Sequence, residues 1–210
     1  MLTRFTIFVL AIATLSSCQT IMQHYLGIKN PDIEKEKTVN RLMEKKLIAN
    51  SYFIKKDKIY DAYVGPFPKV YVFDKYGHQV ILPNCYQLIE ENIRGLVDTV
   101  PEKLSDQSFR DKFVQETIQI DGDSLPAAGT YDYEVYFYWS VWLGRFNIKK
   151  LQTAQKAIDS INKSQNHKKL VLIPINFDFI EESGWTEQSV ESEMVRIMEA
   201  NKSTKKESGK

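Results

Sequence analysis

One stretch of the chain, Tyr133 to Asp178, leaves few folds open. It begins with Glu134-Val135-Tyr136-Phe137-Tyr138-Trp139, a run of strand length that is apolar on both alternating sides after its first residue. It continues with Asn147 to Asn162, where Ile148, Leu151, Ala154, Ala157, Ile158 and Ile161 recur at helical spacing and gather on one side. It closes with Lys169-Leu170-Val171-Leu172-Ile173-Pro174-Ile175-Asn176-Phe177-Asp178, a second apolar run. A strand that is apolar on both faces must be covered on both, which is the condition of a parallel sheet flanked by helices. Strand, crossover helix and strand therefore predict a βαβ unit with parallel strands and place the chain in the α/β class.

The rest of the chain adds elements around this unit. Asn30-Pro31 reads as a helix start, a cap followed by proline in the first turn, and Ile33, Val39, Leu42, Met43 and Ile48 keep a loose helical stripe to about residue 49. Residues 50–65 are rich in Tyr and Lys and carry no clear period. Phe67 to Leu82 predicts a strand, a tight turn at Asp74-Lys75-Tyr76-Gly77 and a second strand, with Gly77 tolerating the positive φ that hairpins often need. Pro83-Asn84 ends that strand and can cap a helix over 85–97. Residues 98–129 connect, with one helix near Ser105–Gln115 and a strand near Glu116–Ile120. Thr186 caps a last helix over Glu187–Ala200, and Asn201–Lys210 is polar and predicts a disordered tail. One domain over residues 30–200 accounts for this pattern.

The first twenty residues are of another kind. Arg4 and the amino terminus give a positive start, Phe5 to Leu15 a short apolar run, and Ser16-Ser17 a small-residue end, which is the pattern of a secretory signal peptide. The run is too short for a mature membrane span, which needs about 20 apolar residues. Leu15-Ser16-Ser17-Cys18 resembles the lipobox of bacterial lipoproteins. The resemblance implies that residues 1–17 are a signal peptide, that the chain is cut before Cys18, and that this cysteine carries a diacylglycerol and an acylated amino terminus. Two or more acyl chains anchor stably where one would not. Residues 18–29 are then a tether. Gln19 is not acidic, which by the family's sorting rules implies an outer-membrane, periplasm-facing protein whose first partner is the membrane itself.

Composition narrows the function. Removing residues 1–17 takes Arg4 and no acid, leaving basic and acidic residues equal in number. A balanced charge argues against a nucleic-acid partner, whose footprint is a basic face. The hydrophobic share of 43 % is enough for a real core. The chain has two cysteines. With Cys18 lipidated, Cys85 is the single free thiol and no internal disulfide can form. His24, His78 and His167 have no metal-binding spacing, and Asp121-Gly122-Asp123 is a plain turn lacking the rest of a calcium loop, so neither metal nor cofactor is expected. Glu90-Glu91 and Glu181-Glu182 are adjacent carboxylates that point apart and read as solvated faces. No residue is assigned a catalytic role.

Tyr138-Trp139-Ser140-Val141-Trp142-Leu143-Gly144-Arg145-Phe146, lying between a strand and a helix, resembles the active-site turn of the thioredoxin superfamily, which reads roughly Phe-Trp-Ala-x-Trp-Cys-Gly-Pro-Cys. Trp139, Trp142 and Gly144 match. Leu143 and Phe146 stand where the two cysteines belong, Arg145 where the proline belongs, and Phe137 where the family's buried aspartate belongs. Asn176-Phe177-Asp178 ends the next strand with an aspartate, as family members often do. Phe67-Pro68-Lys69 to Val80 resembles the family's strand pair that opens with a cis-proline and turns at Asp-x-x-Gly. In thioredoxins this hairpin and its helix follow the active-site unit; here they precede it, which is the order a circular permutation would give. The resemblance covers about half of the chain after the tether. It implies a thioredoxin-like three-layer sandwich with a central mixed sheet, circularly permuted.

Thiol–disulfide exchange needs one thiolate to attack and a second thiol to resolve the mixed disulfide. Leucine and phenylalanine do neither. The resemblance then implies a scaffold without dithiol chemistry whose peptide groove persists, lined by Phe67, Pro68, Trp142, Gly144, Arg145 and Phe146. Aromatic and arginine side chains are what partner surfaces favour, and the partner is an envelope protein or peptide. Two alternatives stand beside this: a purely structural envelope component, and a thiol-dependent enzyme using Cys85. Cys85 sits near an expected helix start, where a thiol pKa can fall, but Pro83, Asn84 and Tyr86 give it no basic neighbour.

Overall fold

A computed structural model describes residues 28–46, 51–64, 69–82, 88–104, 107–119, 125–164 and 168–207. In chain order its elements are β1 (Ile33–Glu34), α1 (Glu36–Lys45), β2 (Tyr52–Ile54), α2 (Ile59–Tyr63), β3 (Val70–Asp74), β4 (Gln79–Val80) and α3 (Ile89–Asp98). They continue with α4 (Arg110–Thr117), β5 (Ile118–Gln119), β6 (Tyr133–Trp139), α5 (Gly144–Lys163), β7 (Leu170–Asn176), β8 (Phe179–Ile180) and α6 (Glu187–Glu207).

Strands β6 and β7 pair in parallel over seven residues, from Tyr133 opposite Leu170 to Trp139 opposite Asn176, with α5 crossing between them. The six-stranded sheet runs β4-β3-β6-β7-β2-β5. The β3–β4 hairpin lies antiparallel along β6, β2 lies parallel to β7, and β5 is antiparallel to β2. The fold is thus a mixed α/β sheet between helices. A separate pair, β1 with β8, is parallel.

The pleat of β6 divides the core. Val135, Phe137 and Trp139 face α1, α3 and α5, meeting Met43, Ile93, Leu96, Leu151, Ala154 and Ile158. Tyr136 and Tyr138 point the other way, toward Ile59 and Ala62 of α2, Phe113 of α4, and Trp185 and Val190 near the start of α6. All seven residues of β6 are buried, as the two-sided apolar pattern requires. One of them is Glu134, whose carboxylate accepts from Arg110 Nε at 2.9 Å and from the Tyr136 hydroxyl at 2.6 Å. Burial of the guanidinium opposes its charge, but the carboxylate partners win and hold Arg110 above its ordinary value. Gly77, at φ 82°, closes the hairpin, where a Cβ would run into Ser108 Oγ.

Several boundaries differ from expectation. The helix expected from Asn30-Pro31 starts at Glu36, after an extended Lys35. Ile33, counted in the helical stripe, pairs instead with Phe179, and its N–H is taken by Asp32 Oδ1 at 2.8 Å. The unassigned 50–65 region supplies β2 and α2. The last helix runs on to Glu207, into the stretch read as a polar tail. Cys18, Phe67, Pro68, Cys85 and the Asp121-Gly122-Asp123 turn lie outside the described residues, as does the signal peptide.

Candidate functional site

The site is a corner at the carboxyl ends of β6 and β7. Leaving β6, the chain turns through Ser140–Leu143 and enters α5 at Gly144, whose φ of 65° is left-handed and suits glycine. Leu143 is the residue that caps α5. The amides of Ser140, Val141, Trp142 and Gly144 have fixed acceptors. Ser140 N–H donates to Asn147 Oδ1 at 3.0 Å, and Val141 N–H donates to Asp178 Oδ2 at 2.8 Å. Gly144 N–H donates to the Val141 carbonyl at 3.0 Å. Asp178 also accepts from the Trp142 N–H and, at 2.6 Å, from Asn176 Nδ2. A buried carboxylate just past the end of β7 thus clamps the turn that follows β6.

Burial pushes the Asp178 carboxyl up to about 7; the donated N–H groups of Val141, Asn176 and Trp142 pull the other way, while nearby Glu34 on β1 adds to the rise. Only 2 % of Asp178 is exposed, and its Oδ1 has no hydrogen-bond partner among the described residues. Near neutral pH this oxygen can hold a proton in an apolar setting. The Tyr63 hydroxyl at the end of α2 is held far above its ordinary value, first by burial and then by the charge of Asp178. Lys69 Nζ ties down the end of α2, donating to the carbonyls of Asp61 and Val64.

Aromatic rings wall the corner. Trp142 stacks on Tyr63 with centroids 5.7 Å apart and meets Phe177 edge-on at 6.2 Å. Tyr63 in turn stacks on Phe179 at 5.5 Å. Trp142 is half-buried, Arg145 is exposed, and Phe146 is 38 % exposed with Lys150 over its ring. Of the expected groove residues, Trp142, Gly144, Arg145 and Phe146 therefore sit together on the turn and the first helical turn, and neither aromatic side chain is fully absorbed into the core.

Sequence reasoning did not bring Tyr63, Glu34 or the clamp by Asp178 into the site. The one signal was the aspartate ending Asn176-Phe177-Asp178; Tyr63 and Glu34 reach the corner from elements with no motif of their own. The first described residues also lie here. Lys29 N–H donates to the Trp142 carbonyl at 2.8 Å, and Ile33 and Glu34 pair with Phe179 and Ile180.

Comparison of the chain with protein-family models, with curated proteins and with solved structures finds no match. Among the described residues no group of three or more His, Cys, Asp or Glu could hold a metal ion, and no helix is long and apolar enough to cross a membrane.

Proposed function

We propose that this chain is a bacterial envelope lipoprotein, anchored through Cys18 to the outer membrane and facing the periplasm, whose thioredoxin-like, circularly permuted domain binds an extended protein or peptide segment and performs no dithiol chemistry. The observation that carries the reading is the half-open aromatic corner at the start of α5, with Leu143 and Phe146 at the two places where sulfur would be needed. Support for the scaffold comes from the sheet. The hairpin β3–β4, which resembles the cis-proline strand pair in sequence, pairs with β6 directly, and the helix after it, α3, packs against α5 on the same face. The two stretches that carry the resemblance are thus neighbours in space, although their order in the chain is reversed.

A corner with an aromatic wall and an exposed arginine suits recognition better than bond-making. Buried aromatic anchors supply most of the energy at such surfaces, about 2 kcal/mol or more for a central tryptophan. The test is titration of the intact chain with a panel of unstructured peptides, followed by calorimetry. Saturable binding that weakens at least tenfold in Trp142→Ala, with the urea midpoint of folding still cooperative, is expected. Equal binding by the two proteins, or no saturable binding across the panel, would refute the reading.

A further inference from the structure

The corner already holds a piece of chain. Lys29 N–H donates to the Trp142 carbonyl, and four residues further on the segment becomes β1, lying parallel to β8 with Ile33 opposite Phe179 and Glu34 opposite Ile180. Ile33 is partly buried against the same core cluster that receives Trp142 and Tyr63. The segment thus runs extended past the aromatic wall, gives one backbone donor to the turn and places one apolar side chain.

What holds it is slight. Its ladder is two residues long, against about 5–6 in an ordinary strand. Its far end is tied by the Lys35–Glu181 ion pair at 3.4 Å, both side chains more than half exposed, and by the Glu36 N–H to Glu182 Oε2 at 3.1 Å. Exposed pairs of this kind add little stability. Few apolar contacts and a short ladder mark a segment that opens locally without unfolding the rest.

Resting on the reading of this corner as a peptide seat, we propose that Lys29–Glu34 is its built-in occupant, displaced by an extended foreign peptide that takes the same place along β8 and presents an apolar side chain where Ile33 sits. The groups it would use are backbone groups: the Trp142 carbonyl and the edge of β8 that β1 now covers. They accept any extended chain, which is how strand addition works, while the Ile33 position supplies the selectivity. A covalently attached occupant competes at a local concentration of roughly millimolar. A partner's apparent affinity is lowered by the fraction of time the seat is filled. The strap therefore screens out weak peptides and sets a threshold for true partners.

The probe is a fluorescent peptide with the chain's own sequence from Ile28 to Glu36, measured by anisotropy against the full chain. Two variants loosen the strap: Lys29→Pro, which deletes the donor N–H, and Lys29→Pro with Ile33→Asp, which also removes the apolar side chain. Both changes lie on half-exposed or exposed residues, and circular dichroism checks that the sheet is intact. The double variant should bind the peptide at least tenfold more tightly than the unaltered chain, with Lys29→Pro between them. Hydrogen exchange should show the Lys29 amide of the unaltered chain protected, and exposed on adding excess peptide. Equal binding by all three proteins, no binding by any, or a Lys29 amide that exchanges at the free-chain rate overturns the proposal. A Lys29–Trp142 contact found between chains rather than within one, by cross-linking of mixed labelled copies, also overturns it, because the seat would then belong to a second copy. The peptide panel against Trp142→Ala can succeed or fail independently of the strap variants, so the two readings fail separately.

Discussion

Replacing Asp178 by asparagine should change how stability depends on pH rather than stability as such. Oδ2 receives the N–H groups of Val141 and Asn176 while Oδ1 has no partner among the described residues. The protonated acid therefore keeps its carbonyl toward the turn and its hydroxyl on the buried, unpartnered side. Asparagine has the same shape, with its amide nitrogen in place of Oδ1, so Asp178→Asn imitates the protonated form at every pH. The sign follows from linkage. The carboxyl titrates near 3.8 when unfolded and near 7 when folded, so between those values the native chain holds a proton the unfolded chain has released. Stability from this group is complete below about pH 4, falls as the pH rises, and is gone above about 7. At 1.36 kcal/mol per pH unit the interval corresponds to ~4 kcal/mol. The groups that face Asp178 are Glu34 from β1, Tyr63 from α2 and Asn176 from β7. Of these, the Glu34 carboxyl is also held above its ordinary value, by burial first and then by Asp32, with Lys29 opposing. The assay is urea unfolding of both proteins from pH 4.5 to 8.5, read as their difference so that groups remote from Asp178 cancel, and repeated on a Glu34→Gln background so that the coupled Glu34 carboxyl does not contribute. The variant should gain on the native protein by ~3 kcal/mol across this range, which covers the part of the interval above pH 4.5, and level off above pH 7. A difference that stays flat from pH 4.5 to 8.5 would refute the raised carboxyl, and with it the apolar corner that raises it.

Arg110→Ala should cost about 3–5 kcal/mol, measured by chemical denaturation, because it leaves the Glu134 carboxylate buried inside β6 without its cation; a loss below about 1 kcal/mol would mean that water reaches this carboxylate. Cys18→Ala should abolish incorporation of labelled palmitate in growing bacteria and leave the uncleaved signal sequence detectable by mass; unchanged labelling would dismiss the lipid anchor.

How much was legible depended on how far each element's partners lay along the chain. Strands β6 and β7 and the helix between them could be read because each carries its own period over seven or more residues, and because burial on both faces leaves a continuous apolar run. The β3–β4 hairpin could be read from its turn, where Asp74 Oδ1 accepts the N–H groups of Tyr76 and His78, and Gly77 takes the left-handed conformation. Strands β1, β2 and β8 could not. They are two or three residues long, too short for alternation to show, and exist because a distant strand offers them a ladder. Ile33 shows how the misreading arises: one apolar residue, three before the helix begins at Glu36, fits a helical stripe as well as a strand, and only its pairing with Phe179 decides.

The candidate site divides along the same line. Trp142, Gly144, Arg145 and Phe146 were visible because they follow one another through a single turn. The corner's chemistry comes from groups that the fold alone assembles: Glu34 near one end of the described chain, Tyr63 at the end of a five-residue helix, and Asp178 beyond β7. Asp178 in particular reads as a polar strand end, the least remarkable place for an aspartate. It becomes the clamp of the turn because β6 and β7 are parallel neighbours, so the chain leaving one must pass the chain leaving the other. The same adjacency lets β8, only three residues past the end of β7, pair with the extended Ile33–Glu34 that follows the segment beside Trp142. A parallel pair therefore builds both halves of the corner: the carboxylate that holds the turn still, and the edge along which Ile33 and Glu34 lie.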